Sequence, residues 1–309
     1  MSVLVPAALS PGDRVAVVAP SGRFDRLLVW RGLGWLRERY RVEFDPSLFC
    51  SEGYLAGSDQ RRLAELQAAV AAPDIRAIVA ARGGYGASRI AHLVDWSPLL
   101  GAPKWLVGFS DITALHAELT RIGVASLHAH NLSGLGRGDA LERDRWLRAL
   151  EAPTASRSVE HLAIWQSGVS RGLLAGGNLT LLFTLAAAGR LSLPRGCVLA
   201  LEDTGEAAYR IDRMLTALLV SGHLAEVAAV VVGDFADCGE GRQGPSISDV
   251  LRERLRLLGV PILASLPFGH RQRNLPLPLG LDAEVDGGKG RFTLCPPPAE
   301  SESGGSYRL

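Results

Sequence analysis

Residues 104–122 read KWLVGFSDITALHAELTRI, a short apolar run followed at once by an amphipathic stretch. The run Lys104 to Gly108 predicts a buried strand, and Asp111 to Ile122 predicts the helix that follows it. Upstream, Asp74 to Ala81 predicts a second strand of this kind, which ends in the glycine-rich 82–86, RGGYG. Strands that alternate with helices indicate an α/β fold with a parallel sheet and helices on both of its faces.

The same patterns extend in both directions along the chain. Further strands are expected at Asp13 to Ala19, Val42 to Phe44, Cys197 to Leu201, Val227 to Val232 and Pro261 to Ala264, and further helices at Leu27 to Tyr40, Asp59 to Ala71 and Ala207 to Ser221. Ser58 is the expected N-cap of the helix that begins at Asp59. Candidates for buried strands therefore occur in both halves of the chain.

These elements divide the chain into four parts. Residues 1–140 are expected to form an N-terminal α/β domain, which contains Ser110. Residues 141–170 are rich in charged and polar side chains and show no long strand, which indicates a connector. Residues 171–295 then form a C-terminal domain, and the low-complexity segment 296–309 is expected to be a disordered tail.

The bulk composition excludes several classes of protein. A hydrophobic share of 47% and a charged share of 21% are typical of a soluble globular protein, and a net charge of +1 argues against nucleic acid as a partner. Met1 to Pro11 lacks the pattern of a secretory signal, and no apolar stretch reaches the about 18 residues that cross a bilayer. We therefore expect a cytoplasmic protein without a membrane partner. The four cysteines show no C-x-x-C spacing, which fits reduced thiols and not a zinc site.

Ser110 lies at the predicted junction between a strand and a helix. Open α/β folds place their ligands at this edge of the sheet, and the free N–H groups of the helix, including that of Asp111, can donate to an oxyanion. These features suit a nucleophile. A serine before an aspartate is also a common helix N-cap, and the six residues 108–113 alone favour the cap. Ile112 replaces the second glycine of G-x-S-x-G, so the segment is not an α/β-hydrolase elbow.

The glycine-rich loop 82–86 has two interpretations of equal weight. Its pattern is neither a Walker loop nor G-x-G-x-x-G, so a nucleotide site is not indicated. A functional loop would supply backbone amides, that of Gly84 among them, to complete an oxyanion hole with Asp111. Arg82 would then hold an anionic part of the substrate. The alternative is a simple tight turn.

A serine nucleophile needs a base, and the base needs an acid that orients it. Of the seven histidines, His270 has the best context, because glycine and prolines around it describe a shaped loop. Glu202 follows the predicted strand that ends at Leu201, although it also fits an acid at the start of the next helix. His128 and His130 remain candidate pocket residues, and no neighbouring carboxylate pattern supports a metal there.

Several strings resemble the LD-carboxypeptidase family, serine peptidases that include murein tetrapeptide carboxypeptidase and the microcin-immunity peptidases. They occur in the family's order between about residue 10 and about residue 293, and together they are highly specific. The strings are YLAGSD at 54–59, RGGYG at 82–86, GFSDIT at 108–113, GGNLTLL at 176–182, LEDTGE at 201–206 with YRIDRML at 209–215, and Gly269-His270 with Asn274.

The resemblance implies Ser110 as nucleophile, Glu202 as orienting acid and His270 as base. It also implies a flavodoxin-like N-terminal domain and a smaller, β-rich α/β C-terminal domain, with the triad assembled between them, and a homodimer that uses no metal or other cofactor. The family often has His-Gly-Pro where this chain has His128-Ala129-His130. This departure concerns a pocket wall and therefore the substrate.

The expected reaction is hydrolysis of the bond between an L-configured residue and the terminal D-alanine of a murein tetrapeptide. Within the family, the alternative is a detoxifying peptidase that acts on a microcin-like peptidyl or aminoacyl nucleotide. Outside the family, two α/β lobes around a cleft would also suit a non-catalytic periplasmic binding protein. The absence of a signal-like segment at the start of the sequence argues against that class.

Overall fold

The computed structural model describes residues 3–239 and 244–295, so the expected tail at 296–309 lies outside the described residues. The strands are β1 (Arg14–Val18), β2 (Arg41–Glu43), β3 (Ile75–Ala80), β4 (Trp105–Gly108), β5 (Ser126–His128), β6 (Arg157–Val159), β7 (Ala163–Gln166), β8 (Val169–Asn178), β9 (Val198–Thr204), β10 (Ala229–Ala236), β11 (Ile262–Ala264), β12 (Leu277–Leu279), β13 (Asp282–Asp286) and β14 (Arg291–Leu294). The α-helices are α1 (Arg26–Arg37), α2 (Asp59–Ala71), α3 (Ala87–Ile90), α4 (Pro98–Gly101), α5 (Thr113–Ile122), α6 (Leu132–Leu135), α7 (Ala140–Glu151), α8 (Leu179–Ala187), α9 (Ala208–Val220) and α10 (Ile247–Leu255). Short 3-10 helices lie at Pro46–Phe49, Ala91–Leu93, Ser110–Ile112 and Arg256–Leu258.

In the described part of the chain, no helix is long and apolar enough to cross a membrane.

The first sheet has six strands in the order β12-β5-β4-β3-β1-β2. Strands β1 to β5 pair in parallel, and their order is that of a flavodoxin-like sheet. Strand β4 is buried along its whole length, because helices cover both faces of a parallel sheet. The predicted fold class is therefore confirmed for the N-terminal part.

The helices of this part begin and end where the sequence provides caps. Ser58 is the N-cap of α2, as predicted, because its side chain accepts a hydrogen bond of 3.2 Å from the N–H of Arg61. At the other end of α2, the ammonium group of Lys104 donates to the carbonyls of Ala69 and Val70 at 3.0 and 2.7 Å. This buried lysine satisfies carbonyls that have no partner inside the helix.

The second sheet has eight strands in the order β6-β14-β13-β8-β9-β10-β11-β7. Its centre, β8 to β11, is parallel, whereas β7, β13, β14 and β6 are antiparallel to their neighbours. Helices α8, α9 and α10 contribute apolar side chains to the core on one face. This arrangement is the expected β-rich α/β architecture of the C-terminal part.

The segment 141–170 is not a plain connector. Helix α7 packs its Trp146 side chain into the core of the first sheet, while β6 and β7 form the two edges of the second sheet. The sequence pattern did not indicate these elements, because β6 and β7 have only three and four residues and because charged side chains dominate α7. The division into domains at these boundaries stays a prediction.

The two sheets meet where β4 leads into α5 and where β8 leads into α8. The backbone N–H of Asn178, at the end of β8, donates to the hydroxyl of Thr113 at 3.1 Å. Further along α5, the buried carboxylate of Glu118 binds Arg190. Strand β12 also crosses back and pairs antiparallel with β5 in the first sheet. The candidate residues from both halves of the chain are thereby brought to one place.

Candidate active site

Strand β4 of the first sheet ends at Gly108, and Ser110 lies two residues further along the chain. Its φ of 66° lies in the left-handed region, where a residue other than glycine is strained by about 1–3 kcal/mol. The N-cap of the 3-10 helix is Phe109, and the hydroxyl of Ser110 instead lies 3.0 Å from Nε2 of His270. The helix-cap interpretation of Ser110 is therefore wrong, and the strained backbone aims its hydroxyl at the histidine.

Glu202 and His270 form the second contact of the site. Glu202 is fully buried in β9, and its Oε2 lies 2.7 Å from Nδ1 of His270. Helix α9 begins only at Ala208 and has no acidic residue in its first turn. Glu202 thus faces the histidine and does not serve as the acid at the start of that helix.

The electrostatic surroundings of His270 favour its protonated form. Burial lowers the pKa of His270, but the hydrogen bond and the charge of Glu202, together with the charges of Asp203 and Asp234, outweigh this effect. The resulting pKa lies above the ordinary value of 6.5. A base with a raised pKa accepts the proton of a hydroxyl more readily, provided that it is neutral at the working pH.

The glycine-rich loop packs directly against Ser110. A Cβ atom added to Gly83 would lie 3.0 Å from Cβ of Ser110 and 3.0 Å from the carbonyl of Phe109. Gly84 has a φ of 103°, which favours glycine, and stands one residue further along the loop. The sequence pointed to Gly84, and the structure adds Gly83 as the loop residue in contact with the nucleophile candidate.

Arg82 holds the segment before α1. Its exposed guanidinium donates to the carbonyl of Arg23 at 2.5 Å, and the N–H of Gly22 donates to the carbonyl of Gly83 at 3.1 Å. The side chain therefore has a protein partner, and its role toward an anionic substrate stays a prediction.

Asp111 ties the end of the glycine-rich loop to the 3-10 helix that begins at Ser110. Its buried carboxylate accepts a hydrogen bond of 2.7 Å from the N–H of Ala87, at the start of the short helix after the glycines. Burial raises the pKa of Asp111 despite this bond. The side chain thus has a structural role, while donation from its backbone N–H to an oxyanion stays a prediction, as it does for Gly84.

The acidic neighbours of Glu202 have other partners. Asp203 accepts hydrogen bonds from the amide of Asn178 at 2.9 Å and from the hydroxyl of Thr180 at 2.8 Å, so it supports the start of α8. Glu206 is 3.5 Å from Arg210 in an ion pair near the surface. Of the three carboxylates, Glu202 is the one in hydrogen-bond contact with His270.

Two further histidines lie in the core behind the site. His116 makes contacts of 2.9 Å with the hydroxyl of Ser126 and with the carbonyl of Gly108, and burial lowers its pKa to about 4. His128 is fully buried, with its ring 5.6 Å from that of Phe268. Neither histidine is the hydrogen-bond partner of the serine.

The site also contains residues that the sequence did not single out. Asp234 adds a charge beside His270, and Glu142 contacts His130 and the backbone of Asn274. A signal existed for Glu142, because it stands four residues before the buried Trp146 and so lies on the apolar side of α7. A carboxylate on such a face is either paired or costly.

The order of contacts is hydroxyl to imidazole to carboxylate, from Ser110 through His270 to Glu202. A nucleophilic serine needs this order, because the imidazole removes the proton and the carboxylate holds the ring and stabilises its charged form. The three side chains come from β9, a loop before β12 and the junction after β4, far apart in the sequence. The arrangement is capable of acyl transfer to the serine.

Comparison with known proteins finds carboxypeptidases among the relatives of this chain. Residues 15–129 match the LD-carboxypeptidase N-terminal domain, and residues 171–285 match the LD-carboxypeptidase C-terminal domain. A Streptomyces coelicolor protein, provisionally assigned as a carboxypeptidase, is 41% identical over 94% of this chain and 96% of its own. The murein tetrapeptide carboxypeptidase of Pseudomonas aeruginosa is 35% identical over 77% of this chain and 81% of its own.

Two further likenesses are a solved structure and a more distant relative. The crystal structure of muramoyltetrapeptide carboxypeptidase from Oxalobacter formigenes is similar with a TM-score of 0.82, at 29% identity, over 91% of this chain and 97% of that one. The microcin C7 self-immunity protein MccF of Escherichia coli is 23% identical over 92% of this chain and 93% of its own.

Proposed function

Because the chain belongs to the LD-carboxypeptidase family and is a peptidase by that membership, we propose that it is a serine carboxypeptidase that uses Ser110, His270 and Glu202. The single observation that carries the serine mechanism is the continuous contact from the hydroxyl through the imidazole to the buried carboxylate, at 3.0 and 2.7 Å. Such a chain activates a hydroxyl that is otherwise a weak nucleophile.

The first half of the reaction forms an acyl-enzyme. The Oγ atom of Ser110 attacks the carbonyl carbon of the scissile bond while Nε2 of His270 takes its proton. The negative charge then moves to the carbonyl oxygen, which the N–H groups of Gly84 and Asp111 stabilise. Glu202 stabilises the imidazolium, and the C–N bond breaks when His270 gives its proton to the departing amine.

The second half releases the shortened peptide. Water replaces the amine in the site, and Nε2 of His270 takes one of its protons as the oxygen attacks the ester carbon. The ester bond to Ser110 breaks, and the hydroxyl regains its proton from the imidazolium. One water molecule is consumed, and a free carboxylate and a free amino acid are produced.

We propose a murein tetrapeptide with a terminal D-alanine as the substrate. The support is the similarity to the Pseudomonas enzyme of that name, at 35% identity, and to the Oxalobacter structure. On this proposal, Arg82 takes part in binding an anionic group of the peptide, with guanidinium N–H groups other than the one that binds the carbonyl of Arg23. We also propose that the protein acts in the cytoplasm, and that it is a homodimer, as the family resemblance implies.

A peptidyl or aminoacyl nucleotide is the second candidate substrate. The similarity to MccF, over 92% of this chain, favours it. The lower identity of 23%, against 35% for the murein enzyme, makes it the weaker of the two.

The two substrates are separated by one experiment. The purified protein is incubated with a murein tetrapeptide that ends in D-Ala, with its L-Ala isomer and with an aminoacyl nucleotide, and the products are followed by mass spectrometry. We expect rapid release of D-Ala and poor cleavage of the L isomer, because a wrong isomer leaves buried polar groups unpaired. Equal cleavage of both isomers, or reaction of the nucleotide alone, would contradict the murein substrate. The serine mechanism is compatible with either result.

A further inference from the structure

His270 lies on an irregular segment, residues 269–274, which we call the histidine loop. The loop has no strand or helix bonds of its own, and its two ends are joined by a side chain. Oδ1 of Asn274 accepts a hydrogen bond of 2.9 Å from the N–H of Gly269. The position of the imidazole therefore depends on what holds Asn274.

Glu142 of helix α7 holds Asn274 from the first half of the chain. Its Oε2 accepts a hydrogen bond of 3.0 Å from the backbone N–H of Asn274, and its Oε1 accepts one of 2.7 Å from Arg145. The Glu142 side chain is only 5% exposed, and its bond to Asn274 is buried, whereas its bond to Arg145 is partly open to water. Trp146 anchors the same helix in the core of the first sheet.

A second contact runs from Glu142 toward the imidazole itself. Oε2 of Glu142 lies 3.4 Å from Nε2 of His130. The ring of His130 meets that of Phe109 edge-on at 6.0 Å, and the Phe109 ring lies 4.9 Å from that of His270. Glu142 thus supports the catalytic ring through the loop backbone and through a packed aromatic wall.

The start of helix α7 makes one more contact with the loop. The side-chain amide of Gln272 donates to Oδ2 of Asp139, the N-cap of α7, at 3.1 Å. That bond is exposed, whereas the Glu142 bond is buried. The buried bond is the stronger constraint, because a buried N–H that loses its acceptor has no water to replace it.

We infer that Glu142 is a positioning residue for His270, which it acts on through Asn274 and His130. The inference rests on the proposed function, since it assumes that His270 is the base. Loss of the carboxylate frees the loop, and a misplacement of about 1 Å at a reacting group lowers the rate about 100-fold. Substrate binding does not use this contact, so kcat should fall while KM changes little.

The test compares Glu142→Ala, which removes the acceptor of the Asn274 N–H, with Glu151→Ala. Both residues are carboxylates of helix α7 that bind an arginine, but Glu151 binds Arg39 and lies away from the histidine loop. For each variant we measure kcat and KM of D-Ala release, the thermal midpoint, and the downfield proton NMR resonance of Nδ1–H of His270. The resonance reports the bond to Glu202 directly and needs no substrate.

We expect Glu142→Ala to lower kcat by about 10- to 100-fold with little change in KM, and to shift or broaden the resonance. Glu151→Ala should leave kcat and the resonance as in the wild type, even where its thermal midpoint falls. If Glu142→Ala does not fold, Glu142→Asp replaces it, because the shorter side chain keeps the negative charge but withdraws the carboxylate from Asn274.

Unchanged kcat and resonance in a folded Glu142→Ala or Glu142→Asp variant, or equal losses in Glu151→Ala, would overturn the inference. Failure of the proposed function gives a different result, namely no D-Ala release by the wild type. The resonance still decides the inference in that case, since it depends on the geometry of His270 and not on the substrate.

Discussion

Replacement of Glu202 by glutamine is the change that most sharply separates it from Asp203 and Glu206, the two carboxylates that follow it in the sequence. The side chain is fully buried, and its Oε2 lies 2.7 Å from Nδ1 of the imidazole. Glutamine keeps the shape and removes the charge. Its amide can turn an NH2 donor toward Nδ1, so it no longer fixes a single tautomer of the imidazole, and it lacks the negative charge that stabilises the imidazolium.

The expected loss follows from what the carboxylate does in the reaction. In serine peptidases with a comparable triad, an amide at this position lowers kcat about 10⁴-fold, which corresponds to about 5 kcal/mol in the barrier. We expect a loss of this size for Glu202→Gln, with KM close to that of the wild type. The loss appears in kcat because the imidazolium exists only during the reaction.

The assay measures kcat and KM for D-Ala release, with circular dichroism to check the fold. Asp203→Asn and Glu206→Gln are the matched controls, because Asp203 binds Asn178 and Thr180 while Glu206 is paired near the surface. Both should lose far less activity than the Glu202 variant. A loss in either control that equals or exceeds that of Glu202→Gln would refute the assignment and move the orienting role to that residue.

Three further changes give separate tests. Asp234→Asn removes one of the charges that raise the pKa of His270, so the acidic limb of the kcat/KM profile should lie at lower pH than in the wild type. Gly83→Ala places a methyl group 3.0 Å from Cβ of Ser110 and should lower kcat about 10-fold by displacing the nucleophile. Arg190→Ala removes the ion pair between Arg190 and the buried carboxylate of Glu118 on α5. This variant should reduce the free energy of unfolding in urea by about 1–3 kcal/mol.

Each of these changes has a control and an opposing result. Asp282→Asn should leave the pH profile in place, and an upward shift in the Asp234 variant would contradict the electrostatic account. Gly34→Ala adds a methyl group with no atom within 4 Å, so an equal loss of kcat there would contradict the steric argument. Arg195→Ala breaks an exposed ion pair with Glu226 and should cost little, and an equal cost would remove the special role of the Arg190 contact.

The fold followed from the sequence because its decisive signals are local. The apolar run of β4 is buried on both faces, and its expected span differs from the observed one by a single residue. Ser58 caps α2 with a side chain that stands next to the helix it caps. The segment 141–170 was less clear, since β6 and β7 are too short for a periodic pattern.

The site followed less directly, because its contacts join distant parts of the chain. Local sequence favoured Ser110 as a helix cap, whereas its hydroxyl contacts His270, 160 residues away. The order of the family strings identified the residues that now lie together, and local propensity did not. The bond from Glu142 to Asn274 spans 132 residues, and only the burial of a carboxylate on an apolar helix face hinted at it.

The central claim is that Ser110 is the nucleophile, and the rate of D-Ala release by Ser110→Ala tests it most directly. The variant keeps the fold, which circular dichroism verifies, and removes the one atom that forms the acyl-enzyme. Loss of the nucleophile in a triad lowers the rate about 10⁶-fold, so we expect release at the level of the buffer control. A tenth of the wild-type rate, with a normal circular dichroism spectrum, would contradict the account.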